Sequence, residues 1–243
     1  ITGATVSRDY IKEFNETSVA LMNPLGFRDW VDIYARLVNW SIELDDHAEL
    51  GLKQTLTDQF RECNLAFGKF VEKHYRDWVA TAADKDRPVL SNEIVDRFLI
   101  PELQKNKSVF FFVVDCLRLD QWLMMEDLLH EYFDVTKEFY YGILPTATPY
   151  SRNAIFSGSF PSDIELRYPE LWEKNEDDEN SRNRFEKQFL DGLLERRKIS
   201  LKPEPKYIKI LDAEFGRGIE GNIGSYANSK LTSIVVNFVD MLA

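Results

Sequence analysis

The chain has little of what marks several common protein classes. Only two cysteines, Cys63 and Cys116, occur in 243 residues, and neither has the spacing of a zinc knuckle or a disulfide framework. No apolar run approaches the roughly 18 to 20 residues that span a bilayer, and the N-terminus has no signal-peptide pattern. We therefore expect a protein of a reducing, cytoplasmic compartment without a membrane segment.

Positive charge is also scarce. The chain carries 30 Lys and Arg against 41 Asp and Glu, a formal net charge of -11. Unspecific binding to a nucleic-acid backbone needs a surplus of basic residues, so that function is disfavoured. An acidic enzyme can still act on phosphates if metal ions supply the positive charge locally.

The first hundred residues predict helices. Apolar residues recur at three- and four-residue steps from Phe27 to Ile42 and again from Leu52 to Trp78, and residues 7–22 predict an earlier helix. Each apolar stripe would be covered by the other two, which predicts a three-helix bundle within a domain of residues 1–105 that includes a linker. We expect five rings to be among its most buried side chains: Trp30, Tyr34, Phe60, Phe67 and Trp78.

From residue 107 the pattern changes to that of an α/β domain, assigned to residues 106–243. The apolar run Val109–Val114 is rich in β-branched and aromatic residues, which predicts a buried central strand. Further strands are predicted at residues 139–144, 207–211 and 234–239, with a helix at 119–133. Alternating strands and helices imply a mostly parallel sheet with helices on both faces. Residues 165–200 are dense in charge and predict a surface insertion with a mobile loop.

Asp115 ends the first predicted strand. Ligands of open parallel sheets bind at the carboxyl ends of the strands, so Asp115 is a candidate metal ligand. Asp is also a common helix cap, and a helix is predicted to follow. The sequence leaves both roles open.

Thr148 begins the segment Thr-Pro-Tyr-Ser-Arg, just before a predicted helix. Its hydroxyl and the first free amides of that helix would point to one spot, which suits a phosphoryl group. Alternatively, Thr148 is a plain N-cap with Pro149 at the first helical position. A threonine hydroxyl is a poor nucleophile until a metal or base takes its proton, so the functional role requires a cation held by carboxylates such as Asp115.

Together these motifs resemble the opening of PglZ-type domains in the alkaline phosphatase superfamily. In related phosphodiesterases the nucleophilic threonine lies ten residues before a glycine, and a proline follows that glycine by three residues. Thr148, Gly158 and Pro161 reproduce this spacing. The resemblance implies that Thr148 is the nucleophile, and that Asp115 and Thr148 are ligands within a site for two divalent metals, usually zinc.

The same resemblance implies further Asp and His ligands in the second half of the domain. The histidines, His47, His74 and His130, all precede Thr148. We therefore expect the remaining ligands beyond Ala243 and no useful phosphoesterase activity from this stretch alone. Asp240, which closes the last predicted strand, is either a site residue or a structural one.

Weaker candidates for substrate binding are Arg118, Ser151 and Arg152. Arg118 could pair a phosphate bidentately, or it could form a surface ion pair with Asp120. Ser151 occupies the position where relatives place an asparagine that donates to a phosphoryl oxygen, and Arg152 is adjacent.

A helical bundle directly before a PglZ-type domain resembles the PorX response regulators of the type IX secretion system in Bacteroidetes. This implies a receiver domain upstream of Ile1 and a cognate histidine kinase. Our first hypothesis is an enzyme that hydrolyses phosphoesters, as diesters of nucleotide or short oligonucleotide type. The rival hypothesis is a signalling or scaffold module that forms a homodimer through the bundle and binds a partner or ligand without turnover.

Overall fold

The computed structural model describes residues 3–47, 50–82, 86–172 and 182–239. The chain divides into two compact units: a helical unit, Ile1–Pro88 with Arg118–Phe139, and a sheet unit, Val89–Leu117 with Tyr140–Ala243. The boundary near residue 105 stays a prediction. The elements are α1 Gly3–Leu21, α2 Phe27–Asp46, α3 Lys53–Ala80, a 3-10 turn Ser91–Glu93, a π-helical stretch Val95–Leu99, α4 Ile100–Gln104, β1 Val109–Val114, α5 Leu119–Leu129, α6 Thr148–Ser157, α7 Pro161–Arg167, α8 Glu186–Arg196, β2 Lys206–Ile210, α9 Ala213–Glu220, α10 Ile223–Tyr226 and β3 Leu231–Val236.

The helical unit confirms the three predicted long helices, and α5 packs against α2 within it. Its core is formed by apolar stripes that include Val6 and Tyr10 of α1, Leu37 of α2 and Leu56 of α3. No helix in the described part of the chain is long and apolar enough to cross a membrane.

The five rings expected in the bundle core are buried to different degrees. Trp30 and Trp78 are buried, whereas Phe60 and Phe67 are half-buried. The expectation is wrong for Tyr34, whose residue surface is 47% exposed. The buried stripe of α2 passes through Trp30, Ile33 and Leu37, so Tyr34 lies at the edge of this face.

The sheet unit contains a small parallel sheet in the order β1-β3-β2. Val109–Val114 of β1 pair in register with Leu231–Val236 of β3. Among the described strands β3 is therefore central, and the central position expected for β1 is wrong. The burial agrees, because Leu231 and Val235 are fully buried whereas Phe112 of β1 is 54% exposed.

The strand predicted at residues 139–144 is not formed. Only an isolated parallel bridge joins Tyr141 to Leu90. The backbone N–H of Ile143 donates to the hydroxyl of Ser91 at 3.0 Å. This N–H is therefore not available to pair with the carbonyl of a neighbouring strand. Gly142 within the segment also weakens its tendency to form a strand.

Part of the predicted surface insertion contributes to the core. In α8, Phe189, Leu190 and Leu193 are at most 2% exposed, and they pack in one cluster with Phe156 of α6. Residues 173–181, where the mobile loop was expected, lie outside the described residues. Gly158 ends α6 with a φ of +61°, and a Cβ there would lie 2.8 Å from Leu193, so α6 and α8 approach closely because this residue is glycine.

Candidate active site

Asp115 lies immediately after β1. Its backbone N–H donates to the carbonyl of Val236 at 2.9 Å, so pairing with β3 continues to this residue. Cys116 follows in the left-handed region with a φ of 60°, which turns the chain sharply. The N–H of Cys116 donates to Oδ1 of Asp115 at 3.1 Å. One carboxylate oxygen is thus fixed by backbone, and Oδ2 remains for other partners.

Thr148 is the first residue of α6, because Ala147 is the N-cap and Pro149 occupies the second helical position. The alternative that Thr148 caps the helix is therefore wrong. Its hydroxyl instead donates to Oδ2 of Asp115 at 3.4 Å. The two oxygens are close enough to be ligands of one metal, since each would lie about 2 Å from it. Their chemical roles stay predictions.

Arg152 lies one turn further along α6 and is buried. Its Nη1 donates to Oδ2 of Asp115 at 3.0 Å and to Oδ1 of Asn237 at 2.8 Å. Its Nε donates to Glu186 of α8. The guanidinium that was a candidate for phosphate binding is therefore held between two carboxylates, and it fixes the Asp115 oxygen that faces Thr148.

Glu186 is fully buried, and its carboxylate accepts hydrogen bonds from three side chains. Besides Arg152, it accepts from Asn183 Nδ2 at 2.9 Å and from the hydroxyl of Tyr207. Burial, followed by the charge and hydrogen bond of Glu186, raises the pKa of Tyr207 well above its ordinary range. Tyr207 thus stays a protonated donor at neutral pH, and Glu186 holds Arg152 on the side away from Asp115.

The other two candidates for substrate binding have local partners. Arg118 is exposed and pairs bidentately with Asp120, at 3.0 Å from both Nε and Nη2. Ser151 Oγ lies 3.5 Å from Ser91 Oγ. The roles of both residues in substrate binding stay predictions.

Two family models match the chain. Residues 94–243 match the BREX system PglZ alkaline phosphatase-like domain. The chain belongs to this PglZ family. Residues 1–79 match the PorX response regulator linker domain. No curated protein matches the chain. The predicted organisation of a helical region before an alkaline phosphatase-like domain is thereby confirmed.

Proteins of the alkaline phosphatase-like superfamily usually bind divalent metals. The side chains around Asp115 would then have to supply enough ligands for such an ion. Within the described residues, no group of three or more His, Cys, Asp or Glu side chains could hold a metal ion. His47, His74 and His130 all belong to the helical unit. A catalytic zinc uses about three protein ligands. The carboxylate of Asp115 and the hydroxyl of Thr148 therefore do not fit a zinc ion by themselves. Asp240 lies outside the described residues.

Sequence reasoning missed Glu186, Asn237 and Lys209, which line the same region. Glu186 lies in a stretch whose charge density is typical of solvated surface, so its composition gave no signal. The sequence does contain a signal for Lys209, because this lysine interrupts the otherwise apolar end of a predicted strand.

Proposed function

We propose that the protein hydrolyses phosphoesters with Thr148 as the nucleophile. The observation that carries the proposal is the 3.4 Å contact between the Thr148 hydroxyl and Asp115, made at the first turn of α6. The PglZ family match supports it, because that domain is alkaline phosphatase-like. Asp115 holds the hydroxyl at the first turn of α6, where the positive end of the helix dipole favours a bound phosphoryl group.

In the proposed reaction, Oγ1 of Thr148 attacks phosphorus in line as it gives up its proton, with Asp115 Oδ2 as the nearest acceptor. The bond from phosphorus to the leaving oxygen breaks, and the leaving alcohol takes up a proton. Water then attacks the phosphothreonine, which restores the Thr148 hydroxyl and releases the phosphate product. Arg152 keeps the Asp115 carboxylate aimed at Thr148 throughout.

The proposal includes dependence on divalent cations, with zinc as the candidate and two ions as the expected number. A bound cation would supply positive charge that lowers the pKa of an alcohol and stabilises phosphoryl oxygens. Such ions need ligands in addition to Asp115 and Thr148, because the described residues do not complete a site. That this stretch alone lacks activity stays a prediction.

The match of residues 1–79 supports a regulatory context for this chemistry. We propose a cytoplasmic response-regulator effector, controlled by a histidine kinase through a receiver domain, that acts on nucleotide or short oligonucleotide diesters. Control of type IX secretion and a homodimer formed through the helical unit belong to the same proposal.

The alternative function, binding without turnover, is favoured by one specific observation. Arg152 already occupies Oδ2 of Asp115 at 3.0 Å, so the carboxylate has a cation before any metal binds. A scaffold would need the Asp115 and Thr148 pair only to shape a ligand pocket. Turnover distinguishes the two functions.

The test is hydrolysis of bis(4-nitrophenyl) phosphate by Thr148→Val, in protein that contains both matched regions and is assayed with zinc and with a chelator. Valine keeps the shape of threonine and removes the hydroxyl, so the rate should fall by at least about 10³-fold. The melting temperature should change little, since one hydrogen bond contributes only about 1 kcal/mol.

Two controls frame this experiment. Thr146→Val makes the same change at an exposed residue two positions earlier and should leave the rate unchanged. Thr148→Ser keeps a hydroxyl and should retain measurable turnover. Equal rates for Thr148→Val and the unaltered protein would refute the nucleophile and favour the scaffold.

A further inference from the structure

Lys209 projects from β2 on the face of the sheet that carries Asp115. Lys209 pairs with Val235 of β3, which pairs with Val113 of β1. Alternate residues of a strand face the same side, so Asp115 and Asn237, each two positions further along, continue this face. Backbone bonds from Asp115 to Val236 and from Asn237 to Ile210 extend the pairing that far.

Lys209 is half-buried as a residue, and no hydrogen bond or ion pair of its ammonium is found within the described part of the chain. Burial lowers its pKa, and the charges of Glu186, Arg152 and Asp115 are near enough to contribute, in that order. The two carboxylates raise the pKa, but burial and Arg152 outweigh them. A desolvated cation of this kind is stabilised when an anion binds beside it.

Asn237 offers a second unused donor on the same face. A guanidinium can only donate, so the Asn237 atom that lies 2.8 Å from Arg152 Nη1 must be the amide oxygen. The amide NH₂ therefore points elsewhere, and no acceptor for it is found among the described residues. Lys209 and Asn237 are diagonal neighbours on adjacent parallel strands, roughly 8 Å apart at the backbone, a distance that a lysine side chain can reach across.

The other cations of the chain that sequence reasoning singled out have charged partners of their own. Arg152 is shared by Asp115 and Glu186, and Arg118 is paired with Asp120. Lys206, on the opposite face of β2, donates to the carbonyl of Ser225 at 3.1 Å. Lys209 differs from all three because its ammonium has no hydrogen-bond or ion-pair partner among the described residues.

We propose that Lys209 and the amide of Asn237 form a binding subsite for a tetrahedral oxyanion, the phosphoryl group of a phosphoester or inorganic phosphate. The subsite rests on the proposed function, because the anion it receives is the group that Thr148 attacks. It also offsets the repulsion that Asp115 and the net charge of -11 exert on an anionic substrate.

The experiment measures binding of inorganic phosphate by ³¹P NMR and calorimetry, together with KM for bis(4-nitrophenyl) phosphate. Lys209→Met keeps the length of the side chain and removes the charge, so the phosphate Kd should rise by about tenfold or more, as expected for loss of a charge-assisted bond. Lys209→Arg should stay within about threefold of the unaltered protein, because the charge remains.

Two further variants make the test specific. Asn237→Asp keeps an acceptor for Arg152 and replaces the amide donor, so it should also weaken phosphate binding. Lys206→Met removes a lysine from the opposite face of the same strand and should leave both Kd and KM unchanged. Circular dichroism melts establish that each variant is folded.

Unchanged phosphate binding in Lys209→Met and Asn237→Asp would overturn the subsite, and so would unaltered protein that binds no phosphate at ~10 mM. Turnover that needs Thr148 but not Lys209 would overturn the subsite and leave the proposed function intact. Phosphate binding that needs Lys209, in protein without any turnover, would support the subsite and count against the proposed function.

Discussion

The helical unit and the sheet unit bury polar side chains in different ways. In the described helical unit the buried polar side chains are neutral, and Gln59 is the largest of them. It donates to the carbonyl of Phe14 and lies 3.5 Å from the Tyr10 hydroxyl. The sheet unit buries a charged pair, Arg152 with Glu186.

This difference indicates where binding or chemistry is expected. A buried ion pair contributes little net stability, since the cost of removing both charges from water can exceed their attraction. A chain that keeps one at Arg152 and Glu186 gains a fixed geometry at Asp115, which Arg152 also contacts. The helical unit has no comparable pair among its described buried residues, which agrees with a packing or regulatory role.

The largest effect should come from removing one partner of the buried pair. Arg152→Met leaves Glu186 buried without its cation and should lower the free energy of unfolding by about 3 to 5 kcal/mol. Gln59→Leu, its counterpart in the helical unit, should cost only about 1 to 2 kcal/mol, because only neutral hydrogen bonds are lost. Urea unfolding followed by circular dichroism measures both.

Glu186→Gln is the matched control for this comparison. It keeps an acceptor for Arg152, and Arg152 retains Asp115 as a counter-ion, so the loss should be smaller than for Arg152→Met. Equal losses in Arg152→Met and Gln59→Leu would remove the contrast between the units.

An effect of comparable size tests whether the sheet unit extends its core into the charged segment. Phe189 of α8 is fully buried, so Phe189→Ala should cost about 3 to 5 kcal/mol. Leu44 of α2 is equally hidden in the helical unit, and Leu44→Ala should cost about 2 to 5 kcal/mol.

Leu166→Ala is the control, because Leu166 is 81% exposed and its truncation should change stability by less than about 0.5 kcal/mol. If Phe189→Ala changed stability as little as Leu166→Ala, α8 would be a surface element, as the sequence predicted for this segment.

The elements that sequence predicted well are those with a local signal. The three long helices repeat their apolar residues at helical spacing, and β1 is a single apolar run that ends at Asp115. Thr148 was placed near Asp115 because a motif resemblance and the rule on strand ends agree, and the 3.4 Å contact has the expected geometry.

The rest depends on partners that are distant in sequence. Arg152 and Glu186 are 34 positions apart, and nothing in the composition of residues 165–200 distinguishes a buried carboxylate from a solvated one. Residues 139–144 have the composition of a strand, but whether they pair depends on which backbone lies alongside, and there Ser91 takes the bond. Local patterns cannot supply that information.

The smallest effect compares one buried tyrosine in each unit at alkaline pH. Burial raises the pKa of Tyr10 in the helical unit to about 12. In the sheet unit, burial and then Glu186 raise the pKa of Tyr207. An unfolded tyrosine ionises near about pH 10, so above that pH the unfolded state has released a proton that the folded state keeps. The stabilising contribution is therefore complete below pH 10 and is lost as pH rises toward the folded pKa.

At pH 11 this linkage should cost the unaltered protein about 1.4 kcal/mol for Tyr10, a loss that Tyr10→Phe avoids. Lys209, whose folded pKa is lowered, acts in the opposite direction at high pH, so each variant must be compared with the unaltered protein at both pH 9 and pH 11.

Tyr207→Phe should remove a similar alkaline loss, but it should also destabilise at pH 7, because Glu186 then loses one of its donors. Tyr10→Phe removes only a hydrogen bond of 3.5 Å to Gln59 and should be nearly neutral at pH 7. Equal costs for the two variants at pH 7 would show that the carboxylate of Glu186 does not depend on Tyr207, and the contrast between neutral and charged burial would fail at this position.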